Sequence, residues 1–207
     1  MLEIEPSKIL VQDLHKHLLS SVGPRPIALA STIDNKGNRN VSPFSFFNVF
    51  SANPPIAVFS PARRVRNNTT KDTLENIKEI QEVVINVVTS DLVQKASLAS
   101  TEYPKEIDEF IKSDLTPIPS KKIKPFRVQE SPVQMECKVN QIIELGENGG
   151  AGNLIICEII LMHISEDILD KKNQIDPNKI KLVGRLGGNW YSKGFENAIF
   201  QIEKPKT

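Results

Sequence analysis

Apolar residues along this chain recur with two different periods, and each change of period marks an element. Residues 7–20 carry Ile9, Leu10, Leu14 and Leu18, with Val11 nearby, at the spacing of one helix face. Ser7 stands at the start as a cap, so the pattern predicts a short amphipathic helix over 7–20. Gly23-Pro24-Arg25-Pro26 breaks it. A strand follows at 27–33, then a turn at Asp34-Asn35-Lys36-Gly37 with a glycine available for positive φ. The return strand is expected over 40–50, rich in Val41, Phe44, Phe46, Phe47, Val49 and Phe50. Asn53-Pro54-Pro55 turns the chain into a third strand at 56–60.

The period then changes back. Leu74, Ile77 and Ile80 recur at threes, predicting a helix over 72–82 with Asp72 as N-cap and Glu75 completing a capping box. Val83 to Thr89 reads as a fourth strand, and Ser90 caps a second helix to about Ala99. A short helix is expected from Lys105 to Lys112, and the Pro-, Lys- and Ser-rich stretch 113–131 is expected to be irregular. Two long strands, 132–145 and 154–164, are joined by a flexible hairpin loop at 146–152. The six strands run in hairpin-like succession without the regular strand–helix alternation of a parallel sheet. The expectation is a mainly β chain with helical insertions, a small antiparallel barrel in one domain over 1–207 that includes an N-terminal helix at about 7–20 and a C-terminal tail at about 184–207.

Composition narrows the classes. The 207 residues are 39% hydrophobic and 25% charged, as expected for a globular protein. A formal net charge of +1 leaves no global field to recruit nucleic acid or an acidic membrane, so any basic site must be local. No apolar run approaches a membrane span, and no basic-then-apolar signal region opens the chain. Cys137 and Cys157 fall in separate predicted strands and are expected to be buried, reduced thiols, with the cytoplasm as the default location.

Candidate chemistry concentrates at Arg63 to Ile80. Arg63, Arg64, Arg66 and Lys71 lead straight into a helix start. Unpaired N–H groups and the positive end of the helix dipole there suit a dianion such as a terminal phosphate. A solvated basic turn before an ordinary capped helix is the plainer alternative. His15 and His17 are two apart on a predicted helix, a spacing that points them to different faces and away from a shared metal. His163 follows an apolar run and reads as a structural strand residue. No histidine adjoins a Ser or Cys in a nucleophile motif. Gly149-Gly150-Ala151-Gly152 lies between two strands, where a dinucleotide fingerprint does not form. A phosphate-type site without a reactive side chain suits a protein that binds a phosphorylated cofactor and lets it react.

Six segments occur in an order that carries a resemblance. They are Arg25-Pro26-Ile27-Ala28, the Thr32/Asp34/Gly37 turn, Val41 to Asn48, Asn53-Pro54-Pro55, Lys71 to Ile77, and Arg185 to Tyr191. Over roughly residues 20–192 the chain resembles the flavin reductase-like, FMN-binding split-barrel family in its flavoredoxin-like branch. The resemblance implies a six-stranded antiparallel Greek-key split barrel, a homodimer, and FMN (with FAD as the alternative) bound near the subunit interface. It places Arg64, Lys71, Asp72 and Thr73 at the flavin phosphate. It places Thr32, Ser45, Phe46 and Asn48 along the ring and ribityl chain, with Ser31 a further candidate. Gly187, Gly188 and Trp190 would approach from the tail, from the same subunit or its partner. The implied activity is hydride transfer from NADH or NADPH to flavin N5, with a monooxygenase or an electron carrier as possible partner. Two rivals stay open: a non-catalytic flavin-binding electron carrier, and a barrel used as a flavin-free binding module.

Overall fold

The structure is a computed structural model and describes residues 1–104 and 106–205. Its elements in chain order are helix α1 (Val11–Ser21), strands β1 (Ala28–Ile33), β2 (Arg39–Phe44), β3 (Phe47–Ala52) and β4 (Pro55–Phe59), helix α2 (Asp72–Ile80) and strand β5 (Glu82–Val87). Helices α3 (Val93–Leu98) and α4 (Glu109–Lys112) follow, then the short pair β6 (Pro117–Ile118) and β7 (Arg127–Val128). The long strands β8 (Val133–Glu144) and β9 (Asn153–Ile164), helix α5 (Pro177–Ile180) and the hairpin β10 (Leu182–Arg185) and β11 (Tyr191–Gly194) complete the chain.

Seven strands form the main sheet in the order β2-β1-β5-β8-β9-β4-β3, with every neighbouring pair antiparallel. β2 and β3 are consecutive in the chain yet lie at opposite edges of this order. The segment 40–50, expected as one strand, is therefore two, bent at Ser45-Phe46. The phenylalanines share no single alternating face: Phe44 points into the core, whereas Phe46 and Phe50 are exposed. The barrel is thus split, and the bend spans the split.

Both faces of β1 are covered, so all six of its residues are buried. Ala28 and Ala30 face one core cluster with Phe44, Phe59, Cys137 and Cys157. Ile27 and Leu29 face a second cluster with Val41, Leu92, Ala96 and Phe110. The two alanines leave room for Leu74 and Ile77 of α2, which join the first cluster with no exposed surface. Burying each is worth about 1.5–3 kcal/mol, which anchors α2 against β1 and fixes where its N-terminus sits. The two cysteines are free and buried, and burial pushes the Cys157 thiol up to about 12.

Several local expectations are corrected. Ser7 does not cap α1: its hydroxyl bonds Glu5, residues 6–8 form a short 3-10 turn, and Leu10 occupies the cap position. Ser90 bonds the neighbouring Asp91, and α3 begins only at Val93. Asp108 caps α4 by accepting from the Phe110 N–H, so the expected helix over 105–112 shrinks to four residues; Lys105 lies outside the described residues. Within 113–131, a side chain imposes order. The buried Asn86 amide donates to Leu29 O (2.9 Å) and accepts from the Val128 N–H (2.9 Å), tying β7 to the barrel.

Candidate functional site

α2 begins one residue earlier than a capping box would require. Lys71 holds the cap position and Asp72 is the first helical residue, with no side-chain cap. The expected Asp72 cap is absent because Thr73, the next residue, turns inward: its hydroxyl donates to Asn40 Oδ1 at 2.8 Å. The Lys71 carbonyl accepts from the Leu74 N–H at 2.9 Å, and the N–H groups of Asp72 and Thr73 bond nothing among the described residues. A lysine cannot accept from them, so the helix start keeps its donors for another acceptor.

Lys71 is half-buried, and its ammonium makes no hydrogen bond or ion pair among the described residues. Burial lowers its pKa, Arg64 and Arg66 lower it further, and Asp72 opposes them. An ammonium in this position gains from an incoming anion. Arg64 is fixed beside it: its guanidinium donates to Thr69 Oγ1 (3.1 Å), to the Thr70 carbonyl and to Glu102 (3.2 Å). Arg66 pairs with the other oxygen of Glu102 and is well exposed. Arg63 spends its guanidinium on Asn68. The β8–β9 loop holds this turn in place. Arg63 N–H donates to Ala151 O (2.8 Å), Gly150 N–H to Arg63 O (2.9 Å), and Asn68 Nδ2 to Glu147 O (2.9 Å). A Cβ at Gly149 would lie 2.9 Å from Val65 Cα, so only glycine allows that approach. The glycine-rich loop thus serves the basic turn as a bracket.

Asn40 and Ser42 on β2, the α2 start, Ser100 to Tyr103 and Glu109 together enclose this polar recess. A second recess shares Ser100 with it and runs between β2 and α3 past Pro43 and Ser97 to Ser45, Arg185 and Tyr191. A third shares Ser45 and is mostly apolar, walled by Phe46, Phe47, Phe50, Val58 and Leu154 with Asn48 at its edge. The shared residues make one discontinuous groove along the free edge of β2 and over the bend, cationic at one end and aromatic at the other.

A family model for the flavin reductase like domain matches residues 20–180. The chain belongs to this flavin reductase-like family. An uncharacterized protein of Aquifex aeolicus is 37% identical over 189 residues, covering 91% of this chain and 94% of that protein. The crystal structure of nitrilotriacetate monooxygenase component B from Bacillus cereus is similar over 98% of each chain, with 31% identity and a TM-score of 0.89. The crystal structure of Pseudomonas fluorescens 2-nitrobenzoate 2-nitroreductase NbaA is similar over 99% of each chain, with 27% identity and a TM-score of 0.85. The split-barrel fold expected from the sequence is the fold of this chain, with seven strands in the main sheet where six were expected.

Of the residues expected at a flavin, Arg64, Lys71, Asp72 and Thr73 meet in the polar recess, and Ser45, Phe46 and Asn48 in the apolar one. Ser31 and Thr32 have no exposed surface. The Thr32 hydroxyl lies 3.4 Å from Asn40 Oδ1 and accepts from Asn76 Nδ2 at 3.1 Å, which makes Thr32 a support behind the recess. Ser45 Oγ accepts from Arg25 Nε at 3.3 Å. Phe46 meets the His15 ring edge-on at 6.1 Å. Gly187, Gly188 and Trp190 lie in the β10–β11 turn and line none of the three recesses, and Trp190 is 75% exposed. From the same hairpin, Arg185 and Tyr191 do reach the groove, the guanidinium 4.5 Å above the Tyr191 ring.

Sequence reading missed Asn40, Ser42, Ser100, Glu102 and Glu109. No local motif flags them, because strand pairing and the α3–α4 excursion alone bring them to α2. His163 does support the fold: its Nε2 lies 2.7 Å from Oε1 of the fully buried Glu136, whose oxygens also accept the Lys121 and Lys122 N–H groups. Burial pushes the Glu136 pKa up, but these hydrogen bonds outweigh it and the net shift is downward.

Proposed function

We propose that this chain is an FMN-binding flavin reductase that takes hydride from NADH or NADPH. The observation that carries the reading is the half-buried, unpaired Lys71 beside Arg64 at an uncapped helix start, in a chain of the flavin reductase-like family. The donor set suits a phosphate: the N–H groups of Asp72 and Thr73, an ammonium with no ion pair among the described residues, and a guanidinium. The aromatic recess suits a planar ring, with few polar groups to orient it. A bound flavin supplies the hydride acceptor, so the chain need not provide a nucleophile or a general base.

The chain's own residues then bind and orient. Lys71, Arg64 and the α2 N–H groups hold the phosphate, and the Ser42–Ser100 passage admits the linking chain. Phe46 and Phe47 exclude water from one side of the ring, and Asn48 and Ser45 offer polar contacts at its edge. The groove remains open along its length, which leaves a face on which a nicotinamide can stack. Likeness to a monooxygenase component supports a role as one component of a larger oxidoreductase, serving a partner enzyme; the homodimer is part of the proposal and rests on the sequence resemblance alone. Likeness to a nitroreductase supports direct reduction of an aromatic acceptor as the second reading.

The test is a visible spectrum after FMN addition and desalting, followed by anaerobic NADH and then NADPH. A retained flavin band that bleaches with either nucleotide is expected. A band that bleaches only with dithionite would make the protein an electron carrier, and a protein that retains no flavin and shows none in titration would refute the reading.

A further inference from the structure

The Asn40 amide is held in one orientation. Its Oδ1 accepts from Thr73 at 2.8 Å and faces the Thr32 hydroxyl at 3.4 Å, so its Nδ2 is left to donate to Glu109 Oε1 at 3.0 Å. The other oxygen of that carboxyl, Oε2, is buried and makes no hydrogen bond among the described residues. Neither protonation state is satisfied by the protein alone. An ionised carboxylate leaves a bare buried oxygen, and a protonated one leaves an O–H without an acceptor.

The surrounding charges favour the proton. The charged groups lining the recess are two cations, Arg64 and Lys71, and three carboxylates, Asp72, Glu102 and Glu109. Glu102 is already paired with Arg64 and Arg66. From β2, Arg39 faces Asp108 rather than Glu109. Asp72, at the α2 start, repels Glu109, and burial acts in the same direction and more strongly. Hydrogen bonds from its own backbone, from Asn40 and from the Val41 backbone oppose them, and the Glu109 pKa settles at about 7. A dianion entering a recess with three carboxylates meets excess negative charge. Protonating Glu109 removes one of them and creates a donor at the oxygen that lacks a partner.

We propose that Glu109 is a binding residue of the anion recess, taking one proton from solvent when a phosphate dianion enters and donating its Oε2–H to a phosphate oxygen. The inference rests on the flavin reading for the identity of the ligand. It makes flavin binding proton-linked: affinity for FMN falls about tenfold for each pH unit above the Glu109 pKa. Riboflavin, which lacks the phosphate, escapes this dependence.

Calorimetric titration of the protein with FMN in two buffers of different ionisation enthalpy measures the linked protons. At about pH 8 the wild-type protein is expected to take up about one proton per FMN, since Glu109 is then mostly ionised before binding. Glu109→Gln should bind FMN with about one proton less and without the fall in affinity that starts near pH 7 in the wild type. Proton uptake on Lys71 would persist in E109Q, so the difference belongs to Glu109. No uptake by the wild type, or equal uptake by E109Q, overturns the inference and leaves the flavin reading standing. If FMN fails to bind but inorganic phosphate binds with an uptake that E109Q loses, the flavin reading falls and the inference stands; if neither binds, both fall. Should E109Q not fold, the wild-type profile decides: a break near pH 7 supports the inference, and FMN affinity level to about pH 9 overturns it.

Discussion

The recess at the start of α2 and the recess beside Phe46 are joined by one strand edge but hold their shapes by opposite means. The first is polar and over-determined. Asn40, Thr73, Thr32, Asn76 and Glu109 form a hydrogen-bonded set across β1, β2, α2 and α4, and every member but Glu109 finds its partners inside the protein. The second is apolar and under-covered. Phe46, Val49 and Phe50 are 39%, 53% and 69% exposed, and Asn48 spends its side-chain oxygen on the neighbouring Val49 N–H. A charged group is selected where geometry is rigid and the dielectric low; a planar apolar group needs only area.

That contrast can be broken from either end. Asn40→Ala should have the largest effect, because it strips the acceptor from Thr73 and the donor from Glu109 at once. We expect about 2–4 kcal/mol less stability in urea unfolding, and a loss below about 0.5 kcal/mol would mean that the network does not hold the recess. Lys71→Ala should fold normally and bind FMN ten- to a hundredfold more weakly, about 1.5–3 kcal/mol, with riboflavin affinity unchanged. The same lysine predicts an alkaline limit. A phosphate favours the charged ammonium, and burial and the arginines lower its pKa from the usual 10.5. Wild-type FMN affinity should therefore fall as pH rises through a value below that of an exposed lysine, and K71A should lack this second fall.

At the other end, Phe50→Ala should weaken FMN and riboflavin alike, by about three- to tenfold, with little change in stability. A loss confined to FMN would contradict a ring site there. Arg66→Ala should do least: its pairing with Glu102 is solvent-exposed, so stability and FMN affinity should change by no more than about 0.5 kcal/mol, checked by the same unfolding and titration assays.

The cationic end was the legible one. Lys71, Arg64 and Thr73 lie within ten positions of one another, and a helix start is a local event whose chemistry follows from a few adjacent residues. The phase of the helix was misread by one residue because Asp72 is a good cap in isolation; the competing bond from Thr73 to Asn40 comes from another strand. The aromatic end was legible in composition but not in shape. Four phenylalanines between 44 and 50 mark an unusual stretch, yet nothing local says that the strand breaks at Ser45-Phe46. That break follows from β2 and β3 belonging to opposite edges of the sheet. In the tail, Arg185 and Tyr191 enter the groove of their own chain, while Gly187, Gly188 and Trp190 lie in the turn beyond it.

By itself the sequence determined most of the elements, the apolar face that Leu74 and Ile77 give α2, and the cluster of cations before that helix. These depend on residues a few positions apart, and the pitch of helix or strand turns such spacing directly into a face. Only the tertiary structure decided that Asn40 and Glu109, 69 residues apart, share a hydrogen bond, and that Glu109 keeps one oxygen unbonded, among the described residues, in a recess it shares with Lys71 and Asp72. Desolvation and charge repulsion act through space, so the chemistry of that carboxyl exists only once the edge of β2, the start of α2 and the first turn of α4 have been packed together.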